Sequence, residues 1–192
     1  MKNIVKLCVV LLFMGTAVNN IYAQDVPQDL DAKYATELIK PGTVAPDFTM
    51  KTPEGKDFKL NQLKGKTVVL EFWASWCPDC RKEAPEVVRL YNEFHPLGVE
   101  FGGVSMDTDV EAWQKAIAQY GIEYPQVSEL KKFHETAIAE AYGVKWIPSM
   151  VVIGADGKVQ LSTVMLYKVD KLLKEQTSAT PASSCSTPSS GR

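Results

Sequence analysis

Histidine is scarce in this 192-residue chain: His95 and His134 are the only two, and neither stands at a metal-ligand spacing from the four cysteines. No metal is expected, and nothing in the pattern asks for another cofactor. Charge of one sign is missing too, with 21 Lys and Arg against 23 Asp and Glu, a formal net charge of −2. The basic residues are scattered, so nucleic acid is not an expected partner. There is no internal repeat, which excludes a solenoid. The apolar run Leu7 to Met14 is too short to cross a bilayer.

That short run makes sense as part of a leader. Lys2 and Lys6 precede it, small and polar residues follow, and Ile21-Tyr22-Ala23 stands before Gln24. This is the pattern of a cleaved export signal over residues 1–23, cut after Ala23. An uncleaved anchor is the competing reading, and the short apolar stretch speaks against it. Cys8 has no lipobox around it, since Val5-Lys6-Leu7 is a poor one, and leaves with the signal. The mature chain is therefore expected to be periplasmic or otherwise extracytoplasmic, in an oxidising compartment, with no stable membrane insertion. At the other end, Thr177 to Arg192 is rich in Ser, Thr and Pro and is expected to be disordered. Cys185 lies within it, as a free or adventitiously paired thiol or, alternatively, a resolving or intermolecular one.

Between these ends the pattern alternates. Residues 24–40 read as a polar, loose lead-in or, alternatively, a short helix, with helical spacing at Leu30, Tyr34 and Leu38, broken by Pro41-Gly42. Ala45 to Met50 and Asp57 to Leu60 read as two short strands around the turn Thr52 to Lys56. Leu63 packs and Gly65 turns. Val68 to Trp73 is a buried strand followed by a helix with Val87, Val88, Leu90, Tyr91 and Phe94 on its inner side. Val99 to Ser105 is a second buried strand, weakened by Gly102-Gly103. Asp109 or Thr108 caps a helix through Trp113 and Tyr120, stopped by Gly121. Tyr124 to Val127 is extended, and Lys131 to Tyr142 has helical spacing. Ser149 to Gly154 and Lys158 to Leu166 form a hairpin about Asp156-Gly157. A last helix covers Val169 to Gln176. The order predicts an α/β domain over residues 41–176, a central mixed sheet with parallel pairs first, an antiparallel edge and flanking helices.

The chemistry gathers at Glu71-Phe72-Trp73-Ala74-Ser75-Trp76-Cys77-Pro78-Asp79-Cys80. Two thiols sit where a strand hands over to a helix. Cys77 falls at the helix N-terminus, beside free N–H groups and the positive end of the dipole, which favours its thiolate. Cys80 lies one turn on, near enough to close a small disulfide ring. A static bridge is the competing reading, and a strand-to-helix junction flanked by Trp argues against it.

This stretch resembles a thioredoxin active site. With Arg81-Lys82-Glu83-Ala84-Pro85 and the late Ile147-Pro148, it is similar to the extracytoplasmic TlpA/ResA-type proteins of the AhpC/TSA-thioredoxin superfamily, from about Pro41 to about Gln176. The resemblance implies a thioredoxin-like fold with an N-terminal β-hairpin extension. It also implies a thiol-disulfide oxidoreductase, Cys77 attacking a partner's disulfide and Cys80 resolving it. It implies a cis Ile147-Pro148 bond facing the cysteines and presenting backbone groups to an extended substrate; an ordinary trans Pro is the alternative. Glu71 then stands where thioredoxins carry a buried proton-shuttling acid, unless it is simply a paired core acid. Glu83 matches a family acid that tunes the thiols, unless it is only a solvated helix face. Trp76 and Trp146 are candidates for partner contact, while Trp73 is at least half core. Expected partners are proteins with disulfides or dithiols and a membrane electron donor, with this chain as the reductant.

Pro78-Asp79 departs from the family, which more often has Pro directly before the second cysteine; Pro78 suits the first helical position, and Asp79 adds a negative charge. Two rival functions remain. A peroxiredoxin is suggested by Ala45-Pro46-Asp47-Phe48, but Ala74 stands where a peroxidatic site wants Thr. A non-catalytic partner-binding module is the other.

Overall fold

The computed structural model describes residues 28–178. The expected leader over residues 1–23 with Cys8, and residues 179–192 of the expected disordered tail with Cys185, lie outside them. Short helix α1 (Asp31–Tyr34) opens the described chain, followed by β1 (Thr49–Lys51), β2 (Asp57–Lys59), β3 (Thr67–Trp73), α2 (Pro78–Phe94) and β4 (Val99–Ser105). Then come α3 (Val110–Tyr120), β5 (Gln126–Ser128), α4 (Ala137–Ala141), β6 (Ser149–Ile153), β7 (Val159–Thr163) and α5 (Leu166–Ser178). One seven-stranded sheet runs in the order β2-β1-β5-β4-β3-β6-β7. β3 pairs with β4 and β4 with β5 in parallel, whereas β6 and β7 run antiparallel on the far side of β3. The expected mixed sheet is present, and the N-terminal hairpin joins it as an edge by pairing Lys51 with Ser128. β3 is buried along nearly its whole length because parallel strands are covered on both faces, here with Val68, Val69, Leu70 and Phe72 inside.

Local signals set most boundaries. The Asp109 side chain accepts from the N–H groups of Glu111 and Ala112, capping α3, and Gly121 ends that helix with φ +63°. Two helix bounds are corrected. The helical spacing over Lys131 to Tyr142 yields a 3₁₀ turn (Phe133–Glu135) and then only α4. Thr136 is extended between them, its hydroxyl bonded to the Phe133 carbonyl, and the Glu129 carboxylate takes the Ile138 N–H at 2.9 Å, starting a new helix there. The last helix begins at Leu166 and continues through Ser178, so Thr177 and Ser178 belong to it rather than to the tail.

The lead-in takes the short-helix alternative, α1, and is not loose. Asp31 accepts the Thr163 hydroxyl and the Val164 N–H, each at 2.8 Å, and pairs with Lys168 at 2.6 Å. Ala35 and Leu38 are buried, and the Ile39 N–H donates to the Tyr142 carbonyl at 3.0 Å. The crossing depends on Gly143: a Cβ there would lie 1.9 Å from the Glu37 carbonyl oxygen.

Candidate active site

The turn after β3 is held from a distance. The buried Asp107 carboxylate accepts the Ser75 N–H at 2.9 Å, the Ser75 hydroxyl at 2.6 Å and the Ser105 hydroxyl at 2.7 Å. This network fixes the chain where it leaves the sheet and enters α2. Cys77 is then the N-cap residue, with Pro78 at the first helical position. The Cys80 N–H donates to Cys77 Sγ at 3.2 Å, a bond that supports negative charge on that sulfur. The two sulfurs are joined in a disulfide, with Cα atoms 5.3 Å apart. Cys77 retains 5% exposure and Cys80 none, so an incoming group can reach only the first.

The Ile147-Pro148 bond is cis, and the Ile147 carbonyl oxygen lies 3.7 Å from Cys77 Sγ. Trp76 and Trp146 are 53% and 42% exposed, large apolar surfaces beside an otherwise buried sulfur. A groove lined by Trp76, Cys77, Phe133, Trp146 and Ile147 opens onto the disulfide. A second groove continues past it between Tyr34, Glu83, Trp146 and Pro148. Trp146 stacks on Tyr34 of α1, ring centroids 4.4 Å apart, so the lead-in helps position this surface.

Strand alternation sends Glu71 and Trp73 to one face of β3. Both are buried. Trp73 belongs to the core and not to the contact surface; its Nε1–H donates to Gln126 Oε1 at 2.8 Å. That amide lies across Gly103, where a Cβ would come within 2.2 Å of it, so the glycine that weakens β4 makes room for Gln126. Glu71 Oε2 accepts the Tyr124 hydroxyl at 2.6 Å. Burial pushes the Glu71 carboxyl up to about 7, with the Tyr124 bond pulling it down and the Glu83 charge adding to the rise. Glu83 is also pushed up to about 7, chiefly by burial and then by Asp79.

Cys77, Cys80, Trp76, Trp146, Ile147 and Pro148 thus converge on one face. Glu83 borders the adjoining groove, and Glu71 lies behind the face within electrostatic reach of Glu83. Tyr124, Asp107, Gln126 and Tyr34 were not legible as site residues. Each acts through a partner far away in sequence, 53 residues for Tyr124 and Glu71 and 32 for Ser75 and Asp107. Among the described residues no group of three or more His, Cys, Asp or Glu side chains could hold a metal ion. No helix among them is long and apolar enough to cross a membrane.

A disulfide at a strand-to-helix junction on this sheet, beside a cis proline, defines a thioredoxin-like thiol-disulfide oxidoreductase. The chain belongs to the AhpC/TSA family, whose sequence model matches residues 41–162. It is similar to thiol-disulfide oxidoreductase ResA of Bacillus thuringiensis (strain Al Hakam), at 34% identity over 141 residues, 73% of this chain and 74% of that one. Among solved structures it is similar to the thioredoxin domain of a thiol-disulfide oxidoreductase from Bacteroides vulgatus, with TM-score 0.62 and 32% identity over 70% of this chain and 99% of that one. It is also similar to a secreted Mycobacterium tuberculosis disulfide oxidoreductase, with TM-score 0.57 and 27% identity over 67% of this chain and 95% of that one.

Proposed function

We propose that this protein is exported and reduces disulfides in other proteins through the Cys77–Cys80 pair. The observation that carries this reading is the disulfide at the N-terminus of α2, with one sulfur reachable and the Ile147 carbonyl beside it. In the reduced protein the Cys77 thiolate, favoured by the helix N-terminus and the Cys80 N–H, attacks one sulfur of a substrate disulfide. The substrate bond breaks, and its other sulfur leaves as a thiolate and takes a proton. Glu71 accepts the proton of Cys80, directly or through water, as the Cys80 sulfur attacks Cys77 and releases the second substrate thiol. The substrate gains two electrons and two protons, and the enzyme ends as the disulfide. The Ile147 backbone supplies an edge for an extended substrate segment, and Trp76 and Trp146 supply apolar contact on either side. Glu83, near neutrality in its own titration, tunes charge beside the exchange.

Export is supported by the leader pattern over residues 1–23 and by a similar protein described as secreted. A reductant in an oxidising compartment must be recharged from elsewhere, which points to a membrane electron donor. The test is the equilibrium of the Cys77–Cys80 pair against graded glutathione and dithiothreitol ratios, with Cys185→Ser removing a competing thiol. A potential near roughly −270 mV or below supports a reductant; one near roughly −120 mV reverses the direction to oxidant. Absence of any reversible transition, or full activity in a Cys77→Ser, Cys80→Ser protein, rejects the pair as the reactive centre.

A further inference from the structure

Tyr124 has no place in the exchange steps above, yet its hydroxyl is bonded to the carboxyl that they use as proton acceptor. It precedes β5, is 2% exposed, and touches Glu71, itself 2% exposed, through a 2.6 Å bond. Its ring is held between Tyr91 of α2 and Phe101 of β4, with centroid distances of 5.3 and 5.9 Å. Phenylalanine would fill the same space. The hydroxyl is the only part of the side chain that such packing does not need.

We propose that Tyr124 is a positioning residue for disulfide exchange: its hydroxyl holds one oxygen of the Glu71 carboxyl and tunes that carboxyl's readiness to accept the Cys80 proton. The inference rests on the reading of Glu71 as that acceptor. A donor to a carboxylate favours the charged form and opposes burial, which favours the neutral one. Tyr124 itself is driven well above its ordinary range by burial and by Glu71, so it stays protonated and keeps donating at any pH at which the exchange runs. With Oε2 held by the phenol, Oε1 is the oxygen left for the proton. The other groups facing Glu71 are few. From α2 comes Glu83, through its charge; Tyr91 packs on Tyr124, and Cys80, the proton's source in the proposed exchange, lies on the same helix. The flanking strands bring Gly103 and Met150 opposite Glu71, and neither titrates.

The experiment uses the full chain with Cys8→Ser and Cys185→Ser in every arm, reduced and then mixed with oxidised glutathione. Attack by Cys77 gives a glutathione mixed disulfide and one glutathione. Attack by Cys80 then closes the Cys77–Cys80 bond and releases the second glutathione, its electrons supplied by the protein dithiol. Acid quenching and mass measurement give the rate of this second step as a function of pH. The parent should show a rising limb with its inflection at about 7, and Glu71→Gln should remove it. Tyr124→Phe should move the inflection upward by about one unit while keeping the alkaline plateau. An ortho-fluorinated tyrosine at 124, a stronger donor of the same shape, should move it downward. In the Glu71→Gln background, Tyr124→Phe should leave the remaining profile unchanged. If Glu71→Gln removes the limb but neither change at Tyr124 moves it, Tyr124 only packs and this proposal falls alone. If Glu71→Gln leaves the limb in place, Glu71 is not the acceptor, and the proposal falls together with that step of the mechanism.

Discussion

Glu71 is a carboxyl buried on β3 among apolar neighbours, with the Tyr124 hydroxyl as its bonded partner. Its presence should cost stability in a pH-dependent way. The folded-state pKa is raised from 4.5 to about 7, so folding disfavours the charged form. Native stability is therefore fully present below the ordinary carboxyl range and is lost progressively as pH rises through about 7. Urea unfolding of the oxidised protein and of Glu71→Gln should show the difference between them shift in the variant's favour between acid and alkaline pH. The shift should be on the order of 3 kcal/mol. A difference that stays flat with pH would mean the carboxyl titrates in the fold as it does in the unfolded chain. A second residue-scale expectation concerns Gly103. In Gly103→Ala the new methyl displaces the Gln126 amide, breaks its bond to Trp73 and should lower stability by about 1–3 kcal/mol in the same assay.

Elements whose causes are local were readable in advance. The apolar runs of β3 and β4, the Asp109 cap and the Gly121 stop follow from neighbouring residues, and so does Cys77 at the head of α2. What escaped was fixed from afar. α4 is short because Glu129, nine residues earlier, takes the Ile138 N–H. The lead-in is ordered because Asp31 reaches Thr163, a separation of 132 residues that no window of periodicity covers. The site divides the same way. Its cysteines, tryptophans and proline announce themselves by motif, whereas the Ser75–Asp107 and Glu71–Tyr124 partnerships exist only once the sheet has formed. Two predictions belong to these elements. Asp31→Ala strands the Val164 N–H and frees α1, so hydrogen exchange should accelerate at Val164 and across residues 30–39 while the core of β3 stays protected. Leu38→Ala, at a position 2% exposed, should cost about 2–5 kcal/mol of stability.

At the scale of the whole molecule, the balanced charge of −2 gives little long-range field, and the residues around the disulfide mix Asp79 and Glu83 with Lys82 and Lys145. Encounter with a substrate should then depend on contact rather than on steering. The rate of reduction of one protein disulfide should change by no more than about threefold between low and physiological salt, against the 10- to 10³-fold effects of steered association. A much steeper dependence would reveal a charged partner surface.

The stacking of Tyr34 on Trp146 bears on where this protein begins as a working object. The family model's match starts at residue 41, and a chain trimmed to that point keeps both cysteines, the proline and the whole sheet. It loses the platform beneath one of its two exposed tryptophans, together with the clip that ties that platform to α5. Such a fragment is expected to bind a protein substrate differently even where its Cys77–Cys80 pair still cycles. An assay on a small-molecule disulfide would miss that change, and an assay on a folded protein client would register it.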